Sequence, residues 1–336
     1  AAASGSGERS DLVTATAAGI ADYLLSRRSL DDTCDALDAL LALGSSEEED
    51  GSGSSALKRR AAAKALGASA KALTIDQAAA VVEWLLRGPI ADEEAGDSWV
   101  EAGACVVKGA GAVDIIADDV TSDSAPLEAA AAAMAAKAAE RLIPVIEAGV
   151  AAASRTTGGD EHAADALRAG GAALLGAAAS ALPKGDPRVS SVADALLDVL
   201  RIPSAAVQKT AADALPALVP RLAGGEAAQK QLVETLLKRA TAGKDYGERR
   251  GGALGAAAAV KGAGLSAVNG FGVLAFVKSA LSDEKDPRAR EGGALLFEAL
   301  AERLGRLFEP YVVSLLPALL DRLADTAAPA REAAEA

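Results

Sequence analysis

An all-α fold built from repeated helical hairpins is what this sequence predicts, and three observations predict it. The first is a phrase that recurs at a fixed interval. It reads Glu248-Arg249-Arg250-Gly251-Gly252-Ala253-Leu254, then Ala289-Arg290-Glu291-Gly292-Gly293-Ala294-Leu295, then Ala330-Arg331-Glu332-Ala333-Ala334. Arg249, Arg290 and Arg331 stand 41 residues apart, and further steps of 41 toward the N-terminus land on Gln208, Leu167 and Pro126. A fixed period in this range marks helix-pair arrays of the HEAT and armadillo kind, so the fold class is an all-α solenoid. The second observation is composition. Hydrophobic residues make up 51% of the chain and aromatics 3%, so the apolar content is mostly alanine, leucine and valine. Alanine is the best helix former, and strand formers are sparse. The third is punctuation: Asp186-Pro187 and Asp286-Pro287 each read as an aspartate cap followed by proline in the first helical turn.

The elements follow in order. Residues 1–10 are small and polar, and a helical pattern runs from Leu12 to Leu43. Residues 1–43 are therefore a partial N-terminal repeat. Residues 44–55 are rich in Gly, Ser and acidic side chains and predict a solvated linker or insert. Residues 56–125 predict irregular repeats, with helices over 56–70 and 75–86, the latter ended by Gly88-Pro89. Arg60 and Glu101 are again 41 apart. Glu101 and Glu291, equivalent in the phrase, are separated by 190, which is 15 short of five periods. A clipped first helix near 113–124 accounts for that shortfall. From 126 to 336 the units are regular, each a first helix, a turn, and a second helix opened by the phrase. Pro144, Pro216, Pro220 and Pro317 lie inside helical patterns and bend them. Neither end shows a polar capping repeat, so the chain is expected to be part of a longer array.

Bulk properties exclude several functions. A net charge of −13 and a pI of about 4.7 argue against a dedicated nucleic-acid domain, and DNA is not an expected partner. Cys34 and Cys105 are too few for a disulfide framework and fit a reducing, cytoplasmic setting. No secretory leader or membrane span is legible. His162 is the one histidine, so no zinc ligand set forms, and it reads as a solvated helix-start residue. Cys105 sits in an apolar helix and is expected in the core. Gly262-Ala263-Gly264-Leu265-Ser266-Ala267 matches a dinucleotide pattern formally, but it closes a helix instead of following a strand. It reads as a helix cap, as does Gly109-Ala110-Gly111. Trp84 and Trp99 read as packing residues. No cofactor is expected, and no catalytic constellation survives, so the chain is not expected to be an enzyme.

One feature points to binding. Lys244, Arg249, Arg250, Lys261, Arg288 and Arg290 occupy corresponding places in two successive repeats. Stacking would line them into a basic ridge able to meet phosphates or an acidic protein. The competing reading is salt bridges between repeats, with Asp245, Glu248, Asp286 and Glu291 as partners.

The segments GERRGGALGAAAAVKGAG, DEKDPRAREGGALLFEALAERLGRLFEPYVVSLLPALLDRLAD and APAREAAEA resemble the family of large HEAT-repeat translational activators named for general control non-derepressible protein one. The run from Leu304 to Val313, followed by Leu316-Pro317, is close to that family's wording. DPRVSSVADALLDVLRIPSAAVQKTAADALPALVPRL is similar to its upstream repeats. The resemblance covers about 140–336, and 244–336 falls in the elongation-factor-three-like part. It implies a cytoplasmic, non-catalytic scaffold on ribosomes that promotes activation of the kinase of initiation factor two alpha. It further implies an ABC-type ATPase partner, and kinase docking through regions outside this chain. The alternative is a HEAT scaffold of transport or phosphatase type that binds proteins and not ribosomes.

Overall fold

The computed structural model describes residues 53–112, 124–156 and 160–336, and every regular element among them is helical. The chain divides after Pro183 into two compact units. The expected change from irregular to regular repeats at 125/126 falls within the first unit. The helices over 1–43 and the clipped helix near 113–124 fall on residues outside the described ones. So does most of the linker expected over 44–55, although a helix already begins at Gly53.

The first unit contains α1 (Gly53–Ser69), α2 (Ile75–Arg87), α3 (Gly96–Gly109), α4 (Ser124–Thr156) and α5 (Glu161–Ser180). Helix α3 packs on both α1 and α5, and α2 packs on α4, which makes two layers. A capping box starts α2: Thr74 Oγ1 accepts from the Gln77 N–H, and Gln77 Oε1 accepts from the Thr74 N–H. Trp84 on α2 and Trp99 on α3 are buried edge to face, with ring centroids 5.4 Å apart at 79°. Their role is packing, as the sequence indicates.

The repeat register differs here from the sequence reading. Arg60, Glu101 and Leu167 fall in α1, α3 and α5, the stacked second helices. Pro126 does not open a second helix. It lies at the start of α4, a 33-residue first helix packed on α2. Leu167 therefore follows Glu101 by 66 residues, one period and 25 more. The interval of 190 is four periods with a gain, not five with a loss. Much of the gain is α4 itself, since α2 has 13 residues. Spacing alone fits both sums equally well.

The second unit contains α6 (Pro187–Val199), α7 (Ala205–Leu218), α8 (Gly225–Ala242), α9 (Tyr246–Ala263), the single turn α10 (Ala267–Gly270), α11 (Val273–Leu281), α12 (Pro287–Leu304), α13 (Glu309–Leu320) and α14 (Ala328–Glu335). The second helices α7, α9, α12 and α14 stack in succession, and α6, α8 and α11 pair with α7, α9 and α12. Asp186, Asp245 and Asp286 each accept a backbone N–H at a helix start, and proline follows the first and third. Pro144, Pro216 and Pro317 lie inside helices, whereas Pro220 sits in a 3-10 turn after α7. Both glycine-rich stops expected to cap helices do so, with Gly264 at φ 97° after α9 and Gly111 at φ 78° after α3.

The paired glycines of the phrase explain how an alanine-rich core closes. Every residue of α9 from Gly251 to Val260 is buried. A side chain at Gly251 would collide with the Leu200 carbonyl, and one at Gly292 with the Ala240 carbonyl. At Gly252 and Gly293 a Cβ would come within 2.6 Å of the Ala240 N and 2.8 Å of the Leu281 N. Backbone meets backbone at these points, which puts neighbouring helices near the short end of the roughly 8–10 Å packing range.

Candidate partner-binding surface

The six basic residues separate into three groups. Arg249 and Arg290 are buried, 7% exposed each, and do not stand on an open edge. Their guanidinium groups close the interface between successive repeats. Arg249 Nη1 donates to the Gly243 carbonyl at 3.0 Å, and Nη2 pairs with Glu291 Oε2 on α12 at 2.8 Å. Arg290 Nη1 donates to the Asp283 carbonyl at 3.0 Å, while Nε and Nη2 grip the two Asp325 oxygens at 2.7 and 2.8 Å.

The same device runs through the unit at the period of the phrase. Gln208, Arg249, Arg290 and Arg331 are each the fourth residue of their helix. Each turns back to a carbonyl of the turn before it: Leu200 for Gln208 at 3.1 Å, and Asp325 for Arg331 at 2.6 Å. Gln208 also bridges forward, donating to the Gly247 carbonyl at 2.7 Å and accepting from Arg250 Nη1 at 3.2 Å. The recurring arginine is thus a clamp that satisfies turn carbonyls and locks one repeat to the next. Of the acidic partners expected from sequence, Glu291 takes this role. Asp245 and Asp286 cap their helices, and Glu248 accepts from the Lys244 N–H and lies 3.5 Å from Arg201 Nη2.

Asp325 is the acceptor that sequence reasoning missed. It is 6% exposed and also accepts from Arg322 Nη1 and the Ala327 N–H, both at 2.9 Å. The Arg290 side-chain hydrogen bonds hold its carboxyl well below the usual carboxylate range, overriding the upward push of burial. Its signal in the sequence was its place in the turn ahead of the phrase, where only the folded turn shows which carboxylate reaches inward.

The remaining four residues are accessible. Lys244 and Arg288 are exposed and Arg250 is half-buried, all at the second-helix starts. Lys261 is also exposed but stands 12 residues beyond Arg249, about 18 Å along α9 at 1.5 Å per residue. It does not join the others. Asp245 and Asp286 are exposed beside Lys244 and Arg288, so this edge has mixed charge. Cys105, expected in the core, is exposed, because 102, 103, 106 and 107 carry the buried face of α3. His162 is exposed in the first turn of α5. Among the described residues no group of three or more His, Cys, Asp or Glu side chains is placed to hold a metal ion. Among the described residues no helix is long and apolar enough to cross a membrane.

The clamped helix pairs have counterparts in known proteins. Residues 249–336 match the family model of the EF3 N-terminal HEAT repeat. The stalled ribosome sensor GCN1 of Homo sapiens is 36% identical over 174 residues, which is 51% of this chain and 6% of that protein. This chain is similar to GCN1 proteins over about half of its length. Protein ILITYHIA of Arabidopsis thaliana is 35% identical over 176 residues, 52% of this chain and 6% of that protein. The eIF-2-alpha kinase activator GCN1 of Saccharomyces cerevisiae is 39% identical over 102 residues, 30% of this chain and 4% of that protein. The chain thus spans about one-twentieth of the length of these relatives. The fold class read from the 41-residue period, an all-α array of HEAT-type hairpins, is the one observed.

Proposed function

We propose that this chain is a non-catalytic HEAT scaffold segment of translational stress control. In this reading it associates with ribosomes and an ABC-type ATPase partner and promotes activation of the kinase of initiation factor two alpha. The observation that carries the reading is the similarity to GCN1 proteins over about half of the chain, together with the EF3-type HEAT match over 249–336, where three of the clamps lie. Those proteins are named as a sensor of stalled ribosomes and as an activator of that kinase. An array of this kind acts by geometry: rigid helix pairs hold surfaces at fixed spacing, with no bond made or broken. The surface assigned to contact is the edge bearing Lys244, Arg250 and Arg288, with Lys261 as a separate point. Arg249 and Arg290 support that edge from inside.

Ribosome co-sedimentation across a salt series, with and without the ATPase partner, tests the proposal. Salt-sensitive pelleting that is lost in Lys244→Glu/Arg288→Glu supports direct contact with ribosomal phosphates. Pelleting only with the partner present supports an adaptor role. Absence of pelleting in both conditions removes the ribosome from the proposal and favours a scaffold that binds proteins alone.

A further inference from the structure

One ion pair in the second unit does not join neighbouring repeats. Arg303 Nη1, in the last turn of α12, lies 2.7 Å from Asp213 Oδ1 on α7. Helix α9 stands between these two helices in the stack and packs on both. The contact therefore links a repeat to the next but one. In a straight row, α7 and α12 would have axes about 16–20 Å apart, twice the usual packing distance of roughly 8–10 Å. The contact therefore fixes how the two helices are placed across α9.

The intervening helix permits the contact. Between Gly251 and Val260, α9 carries only glycine and alanine apart from Leu254 and Val260 itself. Its ridge is low, which leaves room for a long side chain to pass over it. The Arg303 side chain is 10% exposed, whereas the Asp213 side chain is 55% exposed. The arginine is held by the packing, and the carboxylate reaches it from the solvent side.

We propose that Arg303 and Asp213 form a curvature clasp, an ionic contact that sets the bend of three successive repeats and loosens as ionic strength rises. The reading is independent of ribosome binding. A half-exposed pair adds little to fold stability, which rests on buried side chains and clamps. Curvature is a softer coordinate, because it sums small rotations between repeats. A weak contact acting across two interfaces shifts that sum where it could not shift folding. Screening supplies the control, since the Debye length falls from about 10 Å at 0.1 M salt to about 3 Å at 1 M.

The test is a distance measurement by paired spin labels in the full chain. Cys34→Ser and Cys105→Ser remove the native thiols, and Lys209→Cys on α7 with Glu298→Cys on α12 place labels at exposed positions. The expected result is a short, narrow distance distribution at low salt that lengthens and broadens near 1 M. Asp213→Ala should give the long distribution at every salt concentration, and Asp213→Arg a longer one still. Asp213 is solvent-facing, so its replacement opens no cavity, and unchanged helical circular dichroism with a retained cooperative thermal transition checks that the enclosed Arg303 has not unfolded the unit. A low-salt distribution in Asp213→Ala identical to that of the parent overturns the clasp. A parent distribution that ignores salt overturns its ionic control.

Discussion

At the scale of single residues, the recurring arginine and its carboxylate decide the energetics. Asp325 accepts four hydrogen bonds while almost fully enclosed. Replacing it leaves Arg290 charged and buried without its partner, a change that costs about 3–5 kcal/mol. Urea denaturation of Asp325→Ala should show a loss of that size. The Arg249–Glu291 pair offers a different comparison, because its side chains are 8% and 3% exposed. Glu291→Leu alone should destabilise by about 3–5 kcal/mol, whereas Arg249→Met with Glu291→Leu should recover most of the loss. A double replacement as damaging as the single one would show that the pair contributes through its turn-carbonyl bond and not through charge. The arginines were legible as a periodic feature. Their burial was not, since Arg249 and Arg250 are adjacent and identical, and only helix rotation turns one inward.

At the scale of elements, glycine pairs set the distance between helices. Alanine in place of a helical glycine ordinarily gains about 1 kcal/mol. At Gly292 the new Cβ would strike the Ala240 carbonyl, and backbone cannot swing aside as a side chain can. Gly292→Ala should therefore destabilise the chain by about 1–3 kcal/mol in thermal or urea unfolding. Gly270, with open space around it, is the matched control and should be neutral or slightly favourable. Helix starts were legible because an aspartate cap and a proline act locally, and Asp186, Asp245 and Asp286 are all found capping. The length of α4 was not legible. A run of alanines carries no mark of where one helix should stop, and packing against α2 and α5 settles it.

At the scale of the whole molecule, stability should depend on acid in one direction. The carboxyls of Asp325, Asp186 and Asp283 are all held below the ordinary value. The first causes are the Arg290 side chain, the Arg188 side chain, and the backbone N–H of Asp286, respectively. A depressed folded-state pKa stabilises fully above the unfolded value of about 3.9 and loses that contribution as pH falls through the folded value. The urea midpoint should be flat with respect to these groups above about pH 5 and fall steadily below about pH 4. Asp325→Asn should flatten that fall while lowering the midpoint at neutral pH.

The sequence by itself determined the class of this protein. A 41-residue period, an alanine-leucine composition and aspartate-proline caps leave helical hairpins as the arrangement that satisfies all three. These signals are local or strictly periodic, so they need no knowledge of what lies opposite. Tertiary structure alone decided that Arg249 and Arg290 face inward while Lys244 and Arg288 face solvent. It also chose Asp325 as the acceptor and let Arg303 reach past α9 to Asp213. Those outcomes depend on helix rotation and on the sum of small angles between repeats, quantities that arise only when backbones meet across their glycines.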